Sequence, residues 1–81
     1  MIVSVQMFAR ARDLAATDCV RLALPEGAHA GELKDALAER FPALRPVLPA
    51  LLVAVNGAYA TAETVLFQDA EIACFPPVSG G

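Results

Sequence analysis

The sequence predicts an α+β fold in which a mixed sheet carries one main helix on one face. Three observations predict it. Apolar–polar alternation marks strands near both ends of the chain, and only Ala30 to Arg40 carries a long helical pattern. Asn56-Gly57 is the strongest hairpin-turn signal present. With 81 residues, a single domain is the ceiling. Folding a chain this short hides about 60% of the surface it exposes when open, which leaves a thin core.

Ile2 to Phe8 reads as a strand, with Val3, Val5 and Met7 on one face and Ser4, Gln6 and Phe8 on the other. Ala9 to Ala16 holds helix formers without a β-branched residue, so a short helix is expected. Cys19 to Leu24 alternates again and pairs with the first strand as an antiparallel hairpin; Pro25 and Gly27 close it. The main helix, Ala30 to Arg40, repeats Leu33, Ala36, Leu37 and Phe41 at three-and-four spacing. His29 stands at its cap position with Glu32 three residues on, an imperfect capping box. Pro42 ends the helix, and Ala43 to Pro49 reads as a proline-punctuated loop. Leu51 to Val55 is a continuous apolar strand, which implies cover on both faces or an outer face that meets a partner. A short edge strand at Ala58 to Ala60, irregular chain or a 3₁₀ turn at Thr64 to Phe67, and a last strand at Glu71 to Phe75 complete the order.

A hairpin, a crossing helix and returning strands fit the β-grasp, or ubiquitin-like, architecture. Val3, Val5, Met7, Val20, Leu22, Leu24, Leu33, Leu37, Val53, Val55 and Ile72 form its expected core. The chain is 57% hydrophobic, and 29 large apolar residues remain after its 17 alanines are set aside. Some of that surplus should face outward, where apolar patches meet partners. Phe8 and Phe75 fall on the sheet face away from the helix. With Tyr59, they are the expected partner interface, although Tyr59 fits the core equally well.

Charge and residue types exclude several functions. Six basic against nine acidic residues give a net charge of −3 with no basic cluster, which argues against nucleic acid. Cys19, Cys74 and the single His29 lack metal-ligand spacing. Alternation points Cys74 inward, and little near Cys19 favours its thiolate. The only lysine, Lys34, reads as a surface partner of the acidic residues around it. The longest charge-free interior stretch carries two prolines and Asn56-Gly57, so no membrane span is expected. No targeting segment is evident, and a soluble, cytoplasmic domain is the expectation.

The domain is expected to occupy residues 1–75 and an extended tail residues 76–81. Pro76-Pro77 favour a stiff extended exit, and six residues span roughly 20 Å. Gly80 and Gly81 lack a Cβ and fit a channel too narrow for side chains. The terminal carboxylate of Gly81 is a poor electrophile that an acyl-adenylate would activate. A bare Gly-Gly end is weak evidence, since chain ends are commonly disordered. The β-grasp pattern, the Pro-Pro spacer and the outward aromatics beside it give the pair its meaning.

The ending IACFPPVSGG, together with Val55-Asn56, resembles the MoaD family, the ubiquitin-like sulfur carriers that form the small subunit of molybdopterin synthase. Phe8-Ala9 and Arg12-Asp13-Leu14 match more loosely, and the likeness spans the whole chain. This chain departs from the pattern in having Asp13 where Glu is frequent, Ala15-Ala16 where a Gly is usual, and His29 where Ser or Thr would cap. The resemblance implies that a ubiquitin-activating-like adenylyltransferase uses ATP to adenylate Gly81, and that a persulfide donor converts it to a thiocarboxylate. The carrier then docks on the large synthase subunit in a heterotetramer and gives sulfur to cyclic pyranopterin monophosphate, forming the molybdopterin dithiolene. Gly81 is the implied reactive residue, with Pro76, Pro77, Val78, Ser79 and Gly80 lining the insertion path. The chain is not catalytic alone and holds no resident cofactor or metal on this reading. Two alternatives stand beside it. One is a thiamine-type sulfur carrier, against which the Ala9–Ala16 helix and the Pro-Pro spacer argue. The other is a ubiquitin-like protein modifier or interaction module.

Overall fold

A computed structural model describes residues 1–77; the Val78, Ser79, Gly80 and Gly81 of the expected tail lie outside the described residues. Five strands, β1 (Ile2–Met7), β2 (Cys19–Ala23), β3 (Leu52–Val55), β4 (Ala58–Tyr59) and β5 (Glu71–Phe75), form one sheet in the order β2-β1-β5-β3-β4. β1 and β5 pair in parallel, and the other neighbours are antiparallel. Two helices join them: α1 (Ala9–Ala15), between the first two strands, and α2 (Ala30–Arg40), in the crossover that covers the sheet. This is the β-grasp arrangement expected from the sequence.

All eleven expected core residues are buried, because each strand alternates as its sequence does. Leu33 and Leu37 of α2 reach zero exposure, and burial of such a side chain contributes roughly 1.5–3 kcal/mol. The core is larger than expected. Leu44 and Leu48 enter it from two 3₁₀ turns, Pro42–Leu44 and Leu48–Ala50, where the sequence suggested a plain loop. Leu66 joins them from the segment before β5, which forms an isolated bridge (Val65 with His29) and not a 3₁₀ turn. These leucines absorb much of the apolar surplus.

The start of α2 explains how a histidine serves at its cap. Backbone oxygens of the 60–70 connection take the first helical N–H groups: Ala30 donates to Thr64 O at 2.9 Å and Gly31 to Ala62 O at 3.0 Å. The Glu32 carboxylate accepts the His29 backbone N–H at 3.1 Å and lies 2.9 Å from His29 Nδ1. That pairing holds the Glu32 pKa below the ordinary carboxylate value. At the end of α1, Ala16 adopts a left-handed conformation (φ 59°), the position where glycine is usual.

Candidate functional site

Strand β5 is central, bonded to β1 on one side and β3 on the other, so the segment after Phe75 leaves from a strand held on both edges. Pro76 is half-buried and Pro77 exposed, and neither supplies a ladder donor. The far end of the expected insertion path, residues 78–81, lies outside the described residues.

Around that exit, the sheet face opposite α2 is apolar and no other described residues cover it. Pairing sets Leu52 beside Phe75, Ala54 beside Ala73, and Tyr59 beside Ala54. Tyr59 and Phe75 are two strands apart, a span of roughly 9–10 Å between backbones. Their ring centroids nevertheless lie only 6.0 Å apart, tilted at 54°. On β3 between them stand Leu52, opposite Phe75, and Ala54, opposite Tyr59, so the rings meet along a diagonal of the register. Tilted packing at this separation suits aromatic pairs.

Tyr59 is 77% exposed, which removes the core alternative for this residue. Phe8 is 45% exposed and continues the pairing of β1 with β5 by donating its N–H to Cys74 O at 3.1 Å. Alternation therefore sends Phe8 to the same face as Phe75. The described contacts pair Phe75 with Tyr59 across β3, however, and not with Phe8. Leu52 and Ala54, half-buried on this face, belong to the patch and escaped the list of interface residues. Their signal was the unbroken run Leu51 to Val55, in which alternate positions had to face the uncovered side. Asn56 anchors the patch from below. With Gly57 it forms a turn with both φ angles positive (48° and 86°), the geometry of a type I′ hairpin. Its Oδ1 accepts the Glu71 N–H at 2.8 Å, which fixes the hairpin against the start of β5.

Among the described residues no cluster of His, Cys, Asp and Glu has the geometry of a metal site. The Cys74 thiol is buried, which pushes its pKa up to about 11 against the opposing charge of Lys34. It is a protonated core side chain at neutral pH. Cys19 is exposed on β2. Arg12 lines a shallow hollow of about 280 Å³ with Gln6, Met7, Phe8, Asp18 and Cys19. Lys34 corrects the sequence reading. Its ammonium donates to Leu51 O at 2.7 Å, across to the segment leading into β3, and not to the neighbouring carboxylates. No helix among the described residues is long and apolar enough to cross a membrane.

Fold and patch together define a ubiquitin-like β-grasp protein that presents an apolar face beside its own C-terminal segment. Comparison with known proteins carries this further. The family model described as "ThiS family" matches residues 5–81, and the chain belongs to that family. The molybdopterin synthase sulfur carrier subunit of Arabidopsis thaliana is 34% identical over 79 residues, covering 98% of this chain and 82% of that protein. The subunit of the same name from Drosophila erecta is 38% identical over 82 residues, with 98% and 90% covered. Among solved structures, SAMP1 from Haloferax volcanii, a small archaeal modifier protein, superposes with a TM-score of 0.91 at 29% identity and full coverage of both chains. The resemblance drawn from the ending and Val55-Asn56 therefore holds.

Proposed function

We propose that this chain is the sulfur carrier subunit of a molybdopterin synthase, with Gly81 as its reactive end. The observation that carries the proposal is the apolar patch of Phe8, Leu52, Tyr59 and Phe75, set where a Pro-Pro-Val-Ser-Gly-Gly segment leaves a central strand. The names of its relatives support the same reading. An activating enzyme transfers AMP from ATP to the Gly81 carboxylate, releasing pyrophosphate. Sulfur from a persulfide donor then displaces AMP, and reduction of the resulting acyl disulfide by a thiol leaves a thiocarboxylate. The patch docks on the large synthase subunit, and the small-residue end enters that subunit's pocket. There the sulfur passes to cyclic pyranopterin monophosphate. The acid–base groups for that step belong to the partner, since the described residues of this chain offer none in position.

The likeness to SAMP1 favours a second reading, a ubiquitin-like modifier, which shares the activated glycine. Intact-mass measurement after incubation with ATP, an activating enzyme and a persulfide source separates the two. Oxygen-to-sulfur exchange confined to Gly81 is the expected result. Stable amide conjugates to other proteins' lysines, without that exchange, would replace the carrier reading with the modifier.

A further inference from the structure

We infer that Lys34 is withheld from acyl transfer, so that copies of this chain do not serve as lysine acceptors for one another's activated ends. The inference rests on the reading of Gly81 as an activated terminus. Lys34 is the only lysine in the sequence and sits mid-way along α2, a position from which a lysine ordinarily reaches into solvent. Here the side chain is half-buried and lies along the groove between α2 and the segment leading into β3. Its Nζ donates to the carbonyl of Leu51, a residue only 4% exposed, at 2.7 Å. Two hollows meet at its stem. One of about 340 Å³ is walled by Ala30, Leu51, Leu52, Val53 and Tyr59, and one of about 280 Å³ by Ala38, Leu48 and Pro49.

Isopeptide formation requires a neutral amine whose lone pair attacks the acyl carbon of the Gly81 adenylate. The N–C bond forms, the C–O bond to AMP breaks, AMP leaves with the electron pair, and the amine proton passes to solvent. For Lys34 this means giving up the ammonium's bond to Leu51 O and leaving that carbonyl without its charged donor. The amine must also rise out of the groove toward a bulky acyl group. Sulfur delivery makes no such demand, because the nucleophile is brought by another protein. The same residue that closes α2 onto β3 thus protects the carrier pool from coupling to itself.

A lysine introduced at an exposed position supplies the comparison. Glu39 is exposed on α2, and Glu39→Lys adds an unencumbered amine to the full chain. Pulse acetylation with an N-hydroxysuccinimide acetate ester, read by peptide mass spectrometry, should label Lys34 at least about tenfold more slowly than the amine of the E39K variant. With ATP and an activating enzyme, E39K should yield Gly81-linked self-conjugates while the unaltered chain and Lys34→Arg yield none. Equal labelling rates, or self-conjugates through Lys34, would overturn the inference and leave the activated-terminus reading intact. If no chain forms an adenylate or a conjugate, the activated-terminus reading fails, and the labelling ratio still decides whether Lys34 is withheld.

Discussion

The two faces of the sheet are built from the same strands and have opposite fates. On the covered face Val3, Val5, Val53, Val55, Ile72 and Cys74 lie against α2 and the loop leucines, and every one of them is buried. On the open face the alternate residues of β3 and β5 are Leu52, Ala54, Ala73 and Phe75, half-buried and left uncovered by the described residues, with exposed Glu71 at the far end of β5. A strand with both faces apolar normally lies between two layers. Here no second layer is present among the described residues, and Tyr59 and Phe75 meet where the C-terminal segment leaves. The covered face holds the fold together, and the open face is the proposed docking surface. Substitutions on the two sides should separate stability from binding.

The largest effect belongs to the covered face. Leu37→Ala empties a fully buried site in α2 and should cost about 2–5 kcal/mol in a urea or guanidinium titration. Partner affinity should stay near normal under conditions where the variant remains folded. On the open face Phe75→Ala removes half of the Tyr59–Phe75 pair. It should weaken binding to the proposed large-subunit partner by about 2 kcal/mol, roughly thirtyfold, with a much smaller change in melting temperature. Calorimetric titration paired with thermal melts reads both quantities. A steep loss of melting temperature at unchanged affinity would move Phe75 into the core and dissolve the contrast between the faces.

Alternation along the strands and the stripe on α2 made the covered face legible, because period-two and period-3.6 patterns record burial directly. The open face was legible only at its aromatics. Leu52 and Ala54 are hidden in a run where inside and outside look alike, and the diagonal meeting of Tyr59 with Phe75 is set by the strand register. The 3₁₀ turns bearing Leu44 and Leu48 escaped because prolines in sequence signal a break and say little about what the break buries. The contact of Lys34 is illegible in sequence for a related reason. Helical spacing gives a lysine its near neighbours, whereas Leu51 reaches it through tertiary packing alone.

Two smaller effects sharpen the picture of the covered side. With the Cys74 pKa raised from an ordinary 9.0 to about 11, the unfolded chain releases its thiol proton first as pH rises. Stability from this group is complete below pH 9 and declines toward pH 11, by at most about 1.4 kcal/mol per pH unit. In Cys74→Ala the alkaline slope should flatten, although the variant starts from a lower stability at neutral pH. Ala16 is strained at the end of α1, whose Ala11 and Ala15 help fill the core. Ala16→Gly relieves that conformation and should stabilise the chain by about 1 kcal/mol in chemical denaturation. Partner affinity should not move.

The smallest effect sits where α2 begins to cover the sheet. Glu32 bonds the side chain and backbone N–H of His29 and is half exposed, so solvent screens the interaction. Its pKa is lowered from 4.5 in the folded chain, which makes the native state the weaker proton binder. The stability it adds is therefore present above pH 4.5 and lost as pH falls through the folded-state pKa. Glu32→Gln keeps an acceptor oxygen and removes the titration. Its melting temperature should lie slightly below that of the unaltered chain near pH 7 and converge with it under acid conditions. The convergence carries the information, because a purely structural defect would persist at every pH. The gap should be small even near neutrality, since the backbone oxygens of Ala62 and Thr64 continue to hold the first N–H groups of α2 after Glu32 has changed. A large gap would mean that the covering helix hangs on its capping side chain and not on the connection that returns to β5.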